Sequence, residues 1–446
     1  MTTASRPIPL NPGSALMRAY RAVFWNRIRL MQRTASVHPD IVRSTFGPRE
    51  LISINRPEYV HEVLVEQEDK FTKGREFAKY TRPVLGHGLL LSEGDFHQRQ
   101  RKLVAPQFVH RRIREYTKVM TECTEQMMAS WHDGMELDIS REMSRVTLSI
   151  TGKTLFGSDV GDEADDVKSR LTFLMRYVEQ QLRLPFHAPY AWPTPKNLRV
   201  RKAVAGLDEI IFRMIDERRN SNTDSGDLLS MLLSARDENG GSGMTDQQIR
   251  DEAMTIFLAG HETTANAMTW MWYLLAKHPE VFQKLTDEVA ILKGRAPTMD
   301  DLPTLPYAMQ VFKEAMRLYP PAYIIVRTVK EDVLIDGYKL NAGAALIISP
   351  YLLHRNHDYF PNPEAFDPDR FTPERERAIP RHGYLPFGAG PRICIGNQFA
   401  LTEGHLMTAA IAQRFRFELL DQKPIEMEPL ITLRPKGGIR VRVRSV

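Results

Sequence analysis

Apolar residues recur at three- and four-residue spacing from about residue 60 to residue 317, a pattern that predicts a succession of amphipathic helices. Strand signals are few. One short strand is predicted at 51–54. Beyond Pro320-Pro321 two more, at 333–335 and 338–340, flank Asp336-Gly337, a dipeptide that closes tight hairpins. Residues 345–349 continue as strand, and 439–443 alternate apolar residues with Arg, so that strand has one solvated face. The order is helices in bulk, then strands, then one more helix and a terminal strand. It predicts a mainly α chain with small β-sheets.

One helix is unusually long. Thr245 and Gln248 form a capping box, the periodic pattern then runs to Lys277, and Pro279 stops it. At ~1.5 Å per residue such a rod is about 48 Å long and, being apolar on most sides, must cross the middle of the molecule. Its polar residues then need a reason. No internal repeat or low-complexity tract occurs, and the polar stretches 220–227 and 237–243 are short enough to be loops. Length alone allows about three domains, but with no linker the chain reads as a basic arm, 1–40, followed by one domain, 41–446.

Lys plus Arg total 60 against 55 Asp plus Glu, and hydrophobic residues make up 42%. This is the composition of an ordinary globular chain without the clustered basic face of a nucleic-acid binder. The first acidic residue is Asp40, and Arg18, Arg21, Arg27 and Arg29 interleave with apolar residues in the arm. That segment reads as a helix packed on the body, with a membrane-surface or transit segment as the other reading. No stretch is a membrane span, and no apolar signal core precedes a cleavage site, so a cytoplasmic protein is expected. Cys123 and Cys394 are the only cysteines, which excludes a disulfide framework, a four-thiolate zinc site and a cysteine-ligated iron–sulfur cluster. Any metal held by sulfur uses a single thiolate.

Three constellations carry chemistry. Phe387-Gly388-Ala389-Gly390-Pro391-Arg392-Ile393-Cys394-Ile395-Gly396 precedes an apolar helix. The loop has little side-chain bulk and would let a flat cofactor reach the sulfur. A helix opening at Gly396 aims amide donors at the thiol and is expected to lower its pKa. In the long helix, Ala259-Gly260-His261-Glu262-Thr263-Thr264 sets hydroxyls one turn beyond backbone carbonyls, which is expected to loosen the helical ladder there. Glu314 and Arg317 share a helix face, as do Glu142/Arg145 and Glu374/Arg377, two pairs that read as surface contacts.

Together these resemble the cytochromes P450, over about residue 51 to the end. The family's haem loop, FxxGxRxCxG, is matched at Phe387, Gly390, Arg392, Cys394 and Gly396. The resemblance implies the cytochrome P450 fold, with haem b between the long helix and the cysteine-loop helix. It makes Cys394 the axial thiolate, Phe387 its packing neighbour and Arg392 a propionate partner. The family pattern AGxE/DTT makes Thr263 the alcohol serving dioxygen and Glu262 the acid of the proton relay. Glu314, Arg317 and Arg370, the last from Pro368-Asp369-Arg370-Phe371, would form a buried structural network. Arg327, His97 and Arg101 would join the propionate partners, His97 standing where the family often has Trp. Phe257, Leu258, Ala259, Ile324, Ile325 and Leu430 would line an apolar substrate pocket.

The implied activity is monooxygenation of an unactivated C–H in a fatty acid, terpenoid or steroid. Only 52 residues follow Cys394, too few for a built-in reductase. Electrons would therefore come from a ferredoxin and its reductase, and the basic run His110-Arg111-Arg112-Ile113-Arg114 is the docking candidate. The chain is expected to be a monomer that binds no nucleic acid. A peroxide-driven peroxygenase and a non-enzymatic haem sensor are the alternatives.

Overall fold

The long helix spans Asp246–Lys277 without interruption. Its capping box is formed: Thr245 Oγ1 accepts the Gln248 N–H at 3.2 Å, and Gln248 Oε1 accepts the Thr245 N–H at 2.8 Å. Around it in the computed structural model pack the helices Ile139–Leu155, Pro306–Leu318 and Asn397–Ala412. The described residues are 6–12, 27–46, 49–183, 188–220, 226–234, 244–421 and 423–446. Most of both polar stretches read as loops, together with residues 13–26 of the arm, lies outside them.

The expected loosening at residues 260–264 does not occur. Thr263 Oγ1 donates to the Ala259 carbonyl at 2.8 Å and Thr264 Oγ1 to that of Gly260 at 3.4 Å, yet the helix stays regular. The hydroxyls share these carbonyls and leave the backbone amides in the ladder. Gly260 serves close approach instead, since a Cβ there would lie 3.1 Å from Thr151 Cγ2 of the neighbouring helix. A π-helical turn appears elsewhere, at Glu62–Glu66.

A five-stranded sheet is ordered Ile41–Phe46, Arg49–Ile54, Ala345–Ile348, Ile325–Val329, Phe71–Lys73. Its second and third strands are parallel, and the other pairs are antiparallel. The predicted hairpin pairs Val333 with Leu340 and Ile335 with Tyr338, with positive φ at Asp336 and Gly337 as a tight turn requires. The terminal strand Arg440–Ser445 lies between Glu136–Asp138 and Phe415–Leu419.

Buried apolar residues fall into a large helical core and a smaller core under the sheet. Within the arm, helix Arg27–Ala35 buries Ile28 and Met31 beside Tyr323, Tyr351 and Leu433. Arg27 is ion-paired with Glu179 at 2.6 Å, so the described helix of the arm is built into the body.

Candidate active site

The cysteine loop straddles the two cores. Leu385 and Ala389 pack in the sheet core, whereas Phe387, Ile395 and Phe399 pack in the helical one. The Cys394 N–H donates to the Phe387 carbonyl at 2.9 Å, closing the loop on itself. Gly390 has a left-handed φ of 69°, and a Cβ on it would stand 1.8 Å from the Leu64 carbonyl oxygen of the π-helical turn. Only glycine fits there. Gly396 is the N-cap of helix Asn397–Ala412. Arg101, on helix Gly94–Val104, donates from Nη1 to the Ile393 carbonyl at 2.8 Å and so pins the residue before the cysteine.

Protein encloses Cys394, yet its side chain keeps open surface, which makes a cradle about the sulfur. Burial pushes the thiol above its usual pKa, while the Gly396 amide and Arg101 pull the other way. The expected net lowering is therefore corrected: the amide donors act in the anticipated direction, but burial outweighs them.

Beside the cradle lies a cluster of cations. Lys73 and Arg327 are direct partners on adjacent antiparallel strands, an arrangement that is destabilising for like charges. Burial pushes Lys73 well below its usual range, and Arg327 and Arg392 add to the fall. Burial likewise brings Arg327 down to about 10, with Arg392 adding repulsion. His97 is held at about 4 by burial, then by Arg392, Lys73, Arg101 and Arg327. Arg392 binds Glu68 at 3.3 Å and Glu93 at 2.5 Å, so part of its charge is already met within the chain. Lys73, Arg101, Arg327 and Arg392, with the neutral His97 ring as a further hydrogen-bonding group, outnumber these two acids and form a receptor for anions. Two propionates next to an accessible thiolate ligand are what such a site suits, so the residues fit a haem.

The support behind the loop matches the expected network. Glu314 receives Arg317 through two bonds of 2.7 and 2.8 Å and Arg370 through one of 3.3 Å, all three side chains being buried. Arg317 also donates to the carbonyls of His354, Pro363 and Ala365. His354 was not legible as a site residue. Its Nδ1 faces the Arg317 carbonyl at 3.2 Å, and its Nε2 accepts the Leu385 N–H at 2.8 Å, linking this helix to the cysteine loop. Burial, then Arg317, brings it down to about 3, so the ring is neutral. Neither of the other two pairs matches this burial: Arg145, Glu374 and Arg377 are exposed, and Glu142 receives Trp131 Nε1 at 3.4 Å.

On the long helix, Ala259 and Thr263 share one face and both keep open surface. Phe257 lies off that face, buried edge-on against Phe156 at 5.8 Å between centroids. The helical period thus turns Phe257 into the helical core and away from the face that Ala259 and Thr263 share. Leu258 and Leu430 are also buried, whereas Ile324 and Ile325 are half-buried, Ile325 beside Gly388. Glu262 is buried and turned toward the C-terminal strands. It receives Asn266 Nδ2 at 3.0 Å and Thr432 Oγ1 at 3.1 Å, with Arg434 at 4.0 Å.

In the basic run, Arg112 is paired with Glu115 and Arg114 with Asp300, both at 2.7 Å, while His110 and Arg111 are exposed. Sequence reasoning also passed over Lys73 and Glu403. Glu403 is a carboxylic acid fully buried on the cysteine-loop helix, and its charge on an otherwise apolar stretch was the available signal.

A single enclosed thiol on a glycine-rich loop, set beside a buried anion receptor, defines a haem-thiolate protein. The family model for cytochrome P450 matches residues 7–442, and the chain belongs to that family. It is 38% identical over 437 residues to cyclooctatin synthase of Streptomyces melanosporofaciens, covering 97% of this chain and 93% of that protein. Pentalenene oxygenase of Streptomyces avermitilis is 33% identical over 412 residues, covering 92% of this chain and 91% of the relative. Among solved structures, the heme domain of cytochrome P450DA superposes with a TM-score of 0.88 at 26% identity, covering 100% of this chain and 99% of that one. The chain is thus an oxidoreductase of the monooxygenase class that uses a haem-thiolate cofactor, dioxygen and a hydrophobic substrate.

Proposed function

We propose that this protein is a ferredoxin-dependent monooxygenase that carries haem b on Cys394 and hydroxylates a cyclic terpenoid. The observation that carries the reading is the Cys394 cradle beside Lys73, Arg101, Arg327, Arg392 and the neutral ring of His97. When bound, the haem supplies dioxygen activation and C–H oxidation. The chain's own residues bind, orient and handle protons. Arg327, Arg392, His97 and Lys73 hold the propionates, and Arg101 fixes the loop carrying the sulfur. Ala259, Ile324 and Ile325 offer apolar surface to the substrate. Thr263 holds a proton at Oγ1 on the open face of the long helix. Glu262 replenishes it, after its carboxylate swings away from Thr432 and Arg434. A terpenoid substrate is supported by relatives named for cyclooctat-9-en-7-ol and for pentalenene.

Electrons enter from an acidic ferredoxin at the face formed by helix Gly94–Val104 and exposed Arg111, since Arg101 places that helix against the cysteine loop. Among the described residues no helix is long and apolar enough to cross a membrane. A cytoplasmic location and a monomeric state are part of the same proposal.

The test is the reduced, carbon-monoxide-treated protein. It should show the absorption band of thiolate ligation, and Cys394→Ser should lose it. Cyclooctat-9-en-7-ol and pentalenene are then supplied with ferredoxin, its reductase and NADPH, and separately with hydrogen peroxide alone. Absence of the thiolate band in the unmodified chain refutes the cofactor assignment. Turnover with peroxide but not with the ferredoxin system refutes the redox assignment.

A further inference from the structure

A short loop joins helix Arg75–Leu85 to helix Gly94–Val104, and residues 250–255 of the long helix hold its backbone and the end of the helix before it. Arg250 Nη1 donates to the Val84 carbonyl at 2.8 Å, and Thr255 Oγ1 donates to that of Leu85 at 3.5 Å. Asp251 Oδ2 accepts the His87 N–H at 2.8 Å, and Glu252 Oε2 accepts the Leu89 N–H at 2.9 Å. The contact is tight: a Cβ on Gly88 would stand 2.2 Å from Thr255 Oγ1 and 2.4 Å from the Asp251 carbonyl oxygen. Asp251 is itself braced by Gln247 at 2.7 Å and Arg250 at 3.1 Å, and Arg250 by Asp208 at 2.8 Å. At the loop's far end the Ser92 carbonyl accepts Arg392 Nη1 at 2.9 Å, the same arginine that belongs to the anion receptor. The loop is therefore strung between the long helix and the cysteine loop, across the site. Leu89 and Leu91 are buried, and Leu90 between them is only half-buried.

We propose that Asp251 and Glu252 are positioning residues that fix how far this loop stands from the Cys394 cradle, and so set the size of ligand the site admits. Hydrogen bonds to carboxylates are among the stronger ones a loop amide can make, and both acceptors project from a rigid helix. With them in place the middle of the loop is held on the helix; without them the His87 and Leu89 amides lose their acceptors and that stretch opens locally while its two ends stay anchored. Burial, with Asp251 adding, holds the Glu252 carboxyl at about 7, against the pull of the Leu89 amide. Glutamine supplies the same acceptor oxygen with no ionisable group.

The experiment uses the haem-loaded ferric enzyme and two haem-binding probes, imidazole and the bulkier phenylimidazole, with each Kd read from the Soret shift. Hydrogen exchange at the His87 and Leu89 amides reports the hold itself. Glu252→Gln should keep the wild-type ratio of the two Kd values within about twofold. Glu252→Ala, Asp251→Ala and Gly88→Ala should each relax size discrimination by roughly tenfold, the scale on which a pocket senses one methylene, with faster exchange at both amides. Gly88→Ala leaves both carboxylates in place and carries the test where an acidic variant fails to fold. Faster amide exchange with an unchanged Kd ratio overturns the proposal. A glutamine variant as relaxed as alanine overturns it too, because charge rather than the accepted amide would then be at work.

Discussion

Glu403→Gln isolates one buried acid. Glu403 lies on the cysteine-loop helix, fully buried, and neither carboxyl oxygen makes a well-formed hydrogen bond. Burial raises its pKa from the ordinary 4.5 to about 8, with a smaller opposing pull from the Thr264 hydroxyl. Between those values the folded chain holds a proton that the unfolded chain has released. Its contribution to stability is therefore complete below about pH 4.5 and is lost as pH rises through about 8, at up to ~1.4 kcal/mol per pH unit. From about pH 6 to about pH 8 the loss is about 2 kcal/mol. Unfolding entropy near ~2.1 cal/mol/K per residue makes that roughly 2–3 °C in Tm for a chain of 446 residues. Glutamine has the same shape and never ionises. The assay is thermal unfolding of haem-loaded wild type and Glu403→Gln at matched scan rates across that range. The wild-type Tm should fall against the variant by this amount as pH rises. Parallel curves would refute the reasoning, because Glu403 would then be ionised or partnered in the folded state.

Arg317→Lys cannot remake five hydrogen bonds with three donors, so it should cost ~3–5 kcal/mol and collapse the yield of haem-loaded protein, measured as haem absorbance per protein. Gly390→Ala should abolish the thiolate carbon-monoxide band. Gly294→Ala, at a positive φ with no neighbouring atom within 4 Å, should cost only ~1 kcal/mol and keep the band. Lys73→Met should act in opposite senses on the two forms: it raises the Tm of haem-free protein by removing the repulsion from Arg327, and it speeds haem transfer to a scavenging protein.

Much of the fold was legible because its signals are local. The capping box, the Asp336-Gly337 turn and the alternation before the C terminus each act within a few residues, and each appears where expected. The cysteine loop was legible for the same reason. What escaped depends on pairing across the chain. Lys73 acquires its meaning only when strand Phe71–Lys73 is laid beside strand Ile325–Val329. His354 stands in no motif and matters only because Arg317 and Leu385 converge on it. Phe257 was assigned to the pocket by the family resemblance, whereas helical rotation turns it from the Ala259–Thr263 face into the core. The thiol's direction of shift was misjudged because the donors near Gly396 can be read from sequence and the depth of burial cannot.

Because the loop bearing Cys394 is stitched on one side to the sheet and on the other to the helices, the sulfur works as a strain gauge between two bodies. Pressure or mild denaturant that slides one against the other will register first in the colour of the thiolate complex, while far-ultraviolet helicity is still intact. A stabilising substitution deep in either body leaves that early signal where it was; only tightening the seam postpones it.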